Sequence, residues 1–144
     1  MKFKQEIIIQ QPIEKVIELF NDAENLKKWM PGLVSFEHLH GNPGEVNAQS
    51  KLLFKMGKRN IEMIETIEVS NLPHELSGTY QAGGVFNRVK NFFEPIDSNN
   101  TLYQTENEFQ FKGFMKIIAF LMPGAFKKQS FKYMTDFKQF AENS

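Results

Sequence analysis

The sequence contains no cysteine. Disulfides, thiolate nucleophiles and cysteine-held zinc or iron–sulfur centres are therefore excluded. It has no excess of either charge, because 17 Lys+Arg balance 17 Asp+Glu. Chains that grip nucleic acid through its phosphates carry a basic surplus, so no nucleic-acid partner is expected. No apolar run reaches the roughly 18 residues of a membrane span. The most apolar stretch, 113–126, is interrupted by Lys116, Pro123 and Gly124. Met1 to Ile7 lacks the apolar core of a signal peptide, and a soluble, cytoplasmic protein is expected. Histidine is scarce, at three residues. His38 and His40 share one strand face but have no third ligand, and His74 falls in a turn, so no metal is expected. Gly83-Gly84 has no helix after it and is not a phosphate loop. Ser130 sits mid-helix without a strand–turn–helix elbow, so nucleophilic catalysis has no support. No cofactor is implied.

What is present fits one domain spanning 1–144. A chain of 144 residues buries about two thirds of its unfolded surface, enough for one real core. Hydrophobic residues make up 41% and charged residues 24%, a globular balance. The one unusual count is 15 Phe; the core, or a pocket, is aromatic.

Periodicity orders the elements. Phe3 to Gln10 alternates as a strand, with Phe3, Ile7 and Ile9 on one face. Pro12 suits a first helical turn, and Ile13, Val16, Ile17 and Phe20 recur at helical spacing. A second short helix is expected from Ala23 to Trp29, stopped by Pro31-Gly32. Turn signals then fall at 41–44, 56–58, 71–73, 83–84 and 97–100. They divide Leu33 to Phe111 into six strands at hairpin intervals, which makes the sheet antiparallel. Helical period returns at Phe114, Ile117, Ile118 and Leu121. It continues at Phe126, Ser130, Met134, Phe137 and Ala141 beyond Pro123, as one helix kinked or broken at that proline. The class is α+β, in the order strand, two helices, six strands, long helix. The long helix is expected to lie across a curved sheet of about seven strands.

This order resembles the START/polyketide-cyclase (SRPBCC) superfamily. So do Pro12 to Asp22, Leu26 to Gly32, the Gly41–Gly44 turn ahead of a strand, and the tail Met122 to Ser130 with Phe137 to Glu142. The tail is similar to that of small bacterial cyclase/dehydrase-like members. The resemblance implies a helix-grip fold with a cavity between sheet and long helix. Its members bind lipids, sterols, quinones, polyketides or hormones, and some are cyclases or hydrolases, so fold alone does not give the reaction.

Strand alternation assigns the faces. Inward sets are Ile61, Met63, Glu65, Ile67 and Val69; Leu76, Gly78, Tyr80 and Ala82; Val85, Asn87, Val89, Asn91 and Phe93; and Tyr103, Thr105, Asn107, Phe109 and Phe111. Gly78 would leave room beside Tyr80. Glu65, Asn87, Asn91, Thr105 and Asn107 are then polar groups on apolar faces. Left unpaired, each costs about 1–3 kcal/mol. They form either an internal network or the polar patch of a small-molecule pocket. Candidate ligand contacts are Met63, Glu65, Tyr80, Asn87, Asn91, Tyr103, Asn107, Phe109, Ile117 and Met134. Glu65 is the candidate acid/base, with Tyr80 or Asn107 orienting a substrate; a purely structural hydrogen bond is the plainer use for it. Glu106 and Glu108 face water. Trp29 is either a core anchor or a cavity rim.

Three functions compete. A binding or transport module for a lipid, quinone or polyketide-like compound ranks first. An enzyme of cyclase, dehydratase or hydrolase type ranks second. A protein-interaction module with a self-filled core ranks third. Apolar residues of 114–126 cover most of their helix, more than one buried stripe requires. Lys127, Lys128 and Lys132 follow. This stretch is a candidate lip for the ligand, a candidate for transient membrane contact, or a homodimer face.

Overall fold

A computed structural model describes residues 1–144. Strand β1 (Lys2–Ile9) leads into helix α1 (Ile13–Phe20), a 3-10 turn (Ala23–Asn25) and the single-turn helix α2 (Leu26–Trp29). Six strands follow: β2 (Leu33–His40), β3 (Gln49–Met56), β4 (Arg59–Asn71), β5 (Glu75–Ala82), β6 (Val85–Asp97) and β7 (Asn100–Phe111). Two helices end the chain, α3 (Phe114–Leu121) and α4 (Pro123–Glu142). Every expected turn signal falls between two strands. The C-terminal helix is broken at Met122, where Pro123 opens α4; its missing N–H is no loss in a first turn. The second short helix splits because Asp22 Oδ1 accepts from Glu24 N at 3.0 Å, which caps a tight turn before α2 starts.

The strands form one antiparallel sheet in the order β1-β7-β6-β5-β4-β3-β2. Alternation is realised along β7, where Tyr103, Thr105, Asn107 and Phe109 are all buried. One inward assignment fails: Val69 is exposed. A register shift between Ile67 and Val69 puts an irregularity into the β4–β5 ladder and breaks the alternation there.

The long helix α4 crosses the concave face and buries Met134, Phe137 and Ala141. Phe137 meets Trp29 edge-on at 5.0 Å and Phe20 at 5.2 Å. Phe93 and Tyr103 stack beneath them at 4.8 Å. A second aromatic group fills the other end of the grip: Phe109 and Phe111 stack at 5.9 Å, and Phe126 packs onto both. These two groups take up six of the 15 Phe. Helix α4 is pinned at its end, since Gln11 Nε2 donates to Ala141 O at 2.9 Å and Gln10 N to Glu142 Oε2 at 2.7 Å.

Candidate ligand cavity

Between the aromatic groups and the β2 edge, the concave face is not filled. A cavity of about 250 Å³ opens there. The resemblance placed the cavity under the long helix, and the structure corrects this. None of the lining residues comes from α3 or α4; they come from α1, α2 and the turn between them, from β2 to β6, and from the β2–β3 loop. The physical reason is direct packing: Met134 and Phe137 of α4 sit in one buried cluster with Ile9, Trp29, Phe93 and Tyr103. The exposed lining residues Asn21, Ala23, His38, Pro43 and Gly44 mark the mouth. The buried ones, Trp29, Ala48, Ser50, Leu52, Ser77, Gly78 and Asn91, mark the floor.

Sheet register brings the polar lining together. His38 pairs with Ser50, Ser50 with Glu65 and Glu65 with Tyr80. Directly paired residues share a sheet face, so this is one row across the concave side. Tyr80 donates its hydroxyl to Glu65 Oε2 at 2.7 Å. Tyr80 is the only side chain that bonds the carboxyl, so Oε1 is left to the cavity. Burial pushes the Glu65 carboxyl above the ordinary carboxylate range, and the Tyr80 hydrogen bond only partly opposes it. Burial, followed by the Glu65 charge, pushes the Tyr80 hydroxyl well up, so Tyr80 stays a donor. The walls around this row are apolar: Phe20, Leu26, Met30, Phe36, Leu52, Ile67 and Leu76. Such a site can accept a hydrogen bond from a ligand, or hold a proton for it, while excluding bulk water from the rest of the molecule.

Of the ten candidate contacts, Glu65, Tyr80 and Asn91 line the cavity. Tyr103 stands behind them, donating to Asn91 Oδ1 at 2.7 Å, while Asn91 Nδ2 donates to Leu76 O at 3.1 Å. Asn87, Asn107 and Met134 belong to an internal network instead. Asn87 Nδ2 donates to Asn107 Oδ1 at 3.3 Å, Asn107 Nδ2 to Thr105 Oγ1 at 3.5 Å, and Thr105 Oγ1 to Met134 Sδ at 3.4 Å. Phe109 stacks within the second aromatic group, Met63 packs against the Leu33–Leu52–Phe54 cluster, and Ile117 is exposed on α3. None of these last six lines the cavity. Trp29 is both core anchor and lining residue. Gly78 lines the cavity too, but its spare room is taken by β4: a Cβ there would stand 2.8 Å from Thr66 O. Ser50, His38 and Phe20 were missed as lining. The signal for the first two was the alternation of β2 and β3, which puts them in register with Glu65. Glu108 is on the outer face as expected, where Arg88 bridges it and Glu68 at 3.2 and 2.8 Å.

Residues 9–138 match the family model described as polyketide cyclase / dehydrase and lipid transport. The chain belongs to that family. No curated protein matches this polyketide cyclase/dehydrase and lipid transport member. Solved structures of the same fold are numerous. An aromatase/cyclase from Streptomyces superposes with a TM-score of 0.83 at 11% identity, over 99% of this chain and 93% of that one. Ara h 8.0201 gives 0.77 at 15%, over 100% and 99%. Norcoclaurine synthase from Thalictrum flavum, solved with dopamine and hydroxybenzaldehyde, gives 0.70 at 15%, over 97% and 85%. At such identities the likeness establishes the helix-grip fold, and the family membership supports binding of hydrophobic small molecules in general.

Proposed function

We propose that this protein binds a compact, ring-type hydrophobic molecule bearing one hydroxyl or amine, and that Glu65 recognises that polar group. One observation carries the reading: a buried carboxyl with a single protein partner, Tyr80, faces an apolar-walled cavity. Size limits the ligand. At about 30 Å³ per water, 250 Å³ corresponds to roughly eight waters. That suits a one- or two-ring phenol, quinol or polyketide-like fragment, and is too small for a whole diacyl lipid. Leu26, Met30, Phe36, Leu52 and Ile67 would hold the rings while Glu65 Oε1 accepts from the polar group. The self-filled interaction module is disfavoured, since the aromatic side chains fill the two ends of the grip and leave this space.

A second reading rests on the raised Glu65 carboxyl. A group titrating nearer neutrality is suited to general acid/base work, with Tyr80 holding its orientation, in a cyclase- or dehydratase-type step. Tryptophan fluorescence tests the binding reading, because Trp29 is the only tryptophan and lines the cavity. Titration with 2-naphthol should change Trp29 emission saturably. Glu65→Gln should weaken that binding about tenfold, the scale of one hydrogen bond to a charged group. If a substrate is found, turnover lost in Glu65→Gln with binding merely weakened favours the enzyme. A naphthol titration without a saturable change contradicts both readings.

A further inference from the structure

Helix α3 and the residue after it leave most of their large apolar side chains exposed. Phe120 is 83% exposed, Phe114 70%, Leu121 67%, Met122 56% and Ile117 54%. At about 100° per residue, Phe114, Leu121, Ile117 and Phe120 fall on one continuous arc of about 120°. The opposite side holds the helix to the body: Ala119 is buried, and Met115 lies against Gly84, within 3.3 Å of where its Cβ would be. The exposed arc is therefore a presented face and not a loosely packed core stripe.

Charge around this face has one sign. Residues 109–135 contain five lysines, Lys112, Lys116, Lys127, Lys128 and Lys132, and no Asp or Glu. Only Lys132 is paired, with Asp136 at 2.6 Å. The other four make no ion pair, although Lys127 Nζ lies over the Phe3 ring at 5.8 Å from its centroid, and the chain as a whole is neutral. An exposed aromatic and aliphatic arc beside unpaired lysines complements a surface that is apolar within and anionic at its edge. A second copy fits less well. A two-fold contact would bring the same four lysines of each copy towards one another.

We infer that α3 and the start of α4 form a docking face for an anionic lipid bilayer, with Phe114, Ile117, Phe120 and Leu121 entering the interface and Lys112, Lys116, Lys127 and Lys128 meeting the headgroups. The face is separate from the cavity, so it does not depend on the binding reading. Helix α3 follows the end of β7, at the sheet end that carries the β3–β4 and β5–β6 turns, whereas the cavity mouth is beside the β2–β3 loop at the other end. The protein would rest on a bilayer with its mouth open to water.

Vesicle co-sedimentation tests this, with POPC alone and with equimolar POPC and POPG. The wild type should sediment with the POPG-containing vesicles, less so as salt rises, and not with POPC alone. The double variant Phe114→Asp/Phe120→Asp alters only exposed side chains and should keep the fold by circular dichroism. It should lose about tenfold or more in vesicle affinity. Lys116→Glu/Lys128→Glu should weaken binding severalfold and flatten its salt dependence. Absence of wild-type binding at low salt, or binding unchanged in the aspartate variant, overturns the inference. So does a wild-type dimer that ignores vesicles and becomes monomeric in the aspartate variant, which would give the face to a second copy.

Discussion

Tyr80 holds Glu65 across the β4–β5 pair, hydroxyl to Oε2 at 2.7 Å, and leaves the other carboxylate oxygen to the cavity. The pair explains how an acidic residue is tolerated on an apolar strand face. It also means that the ionised form of Glu65 carries a desolvation cost that one hydrogen bond does not cancel.

That cost makes stability depend on pH. The folded Glu65 carboxyl titrates above its unfolded value of about 4.3. Its contribution is therefore fully present below that value and is lost as pH rises through the raised folded one. Glu65→Gln removes the loss and keeps an oxygen for Tyr80. The melting temperature of Glu65→Gln relative to wild type should rise with pH across this window and level off above it. A constant difference would show that the carboxyl is not destabilised by burial.

Gly78 admits no side chain. Its Cβ would stand 2.8 Å from the carbonyl oxygen of Thr66 on the neighbouring strand. Backbone on both sides must shift, so Gly78→Ala should destabilise by about 1–3 kcal/mol in urea unfolding. An unchanged midpoint would contradict the close β4–β5 approach.

Phe137 is fully buried among Phe20, Trp29 and Tyr103. Phe137→Ala should cost about 3–5 kcal/mol. A loss below about 1 kcal/mol would place α4 elsewhere.

Tyr103 supplies the hydrogen that Asn91 Oδ1 accepts inside the protein. Tyr103→Phe should cost about 1–3 kcal/mol, because it leaves a buried acceptor without its donor. Calorimetry would detect the change. No change would mean that Asn91 has water beside it.

Local pattern made most of the fold legible. Glycine, proline and asparagine marked every strand boundary, and period-two alternation identified the concave face of β4 to β7. Val69 was misassigned because a bulge leaves no mark that alternation can detect. Of the ten candidate contacts, three line the cavity. Glu65, Tyr80 and Asn91 are legible as cavity-lining because a polar residue on an apolar face stands out along its own strand. Asn87, Asn107 and Thr105 carry the same signature and satisfy one another; only their cross-strand distances separate a network from a pocket. The cavity's position was not legible. It depends on how deeply Met134 and Phe137 sink between sheet and α1, a matter of packing depth that helical spacing does not encode.

The central claim is that the space beside Glu65 takes up a compact ring-type ligand. Native mass spectrometry of the wild type and of Ser50→Phe, each with 2-naphthol, tests it most directly. Ser50 lies on the cavity floor in register with Glu65, and a phenyl group there would occupy the space directly beside the Glu65 carboxyl. The expected result is a one-to-one adduct on the wild type and none on a folded Ser50→Phe. An adduct of equal abundance on both proteins, or none on either, would contradict the assignment of this cavity as the binding site.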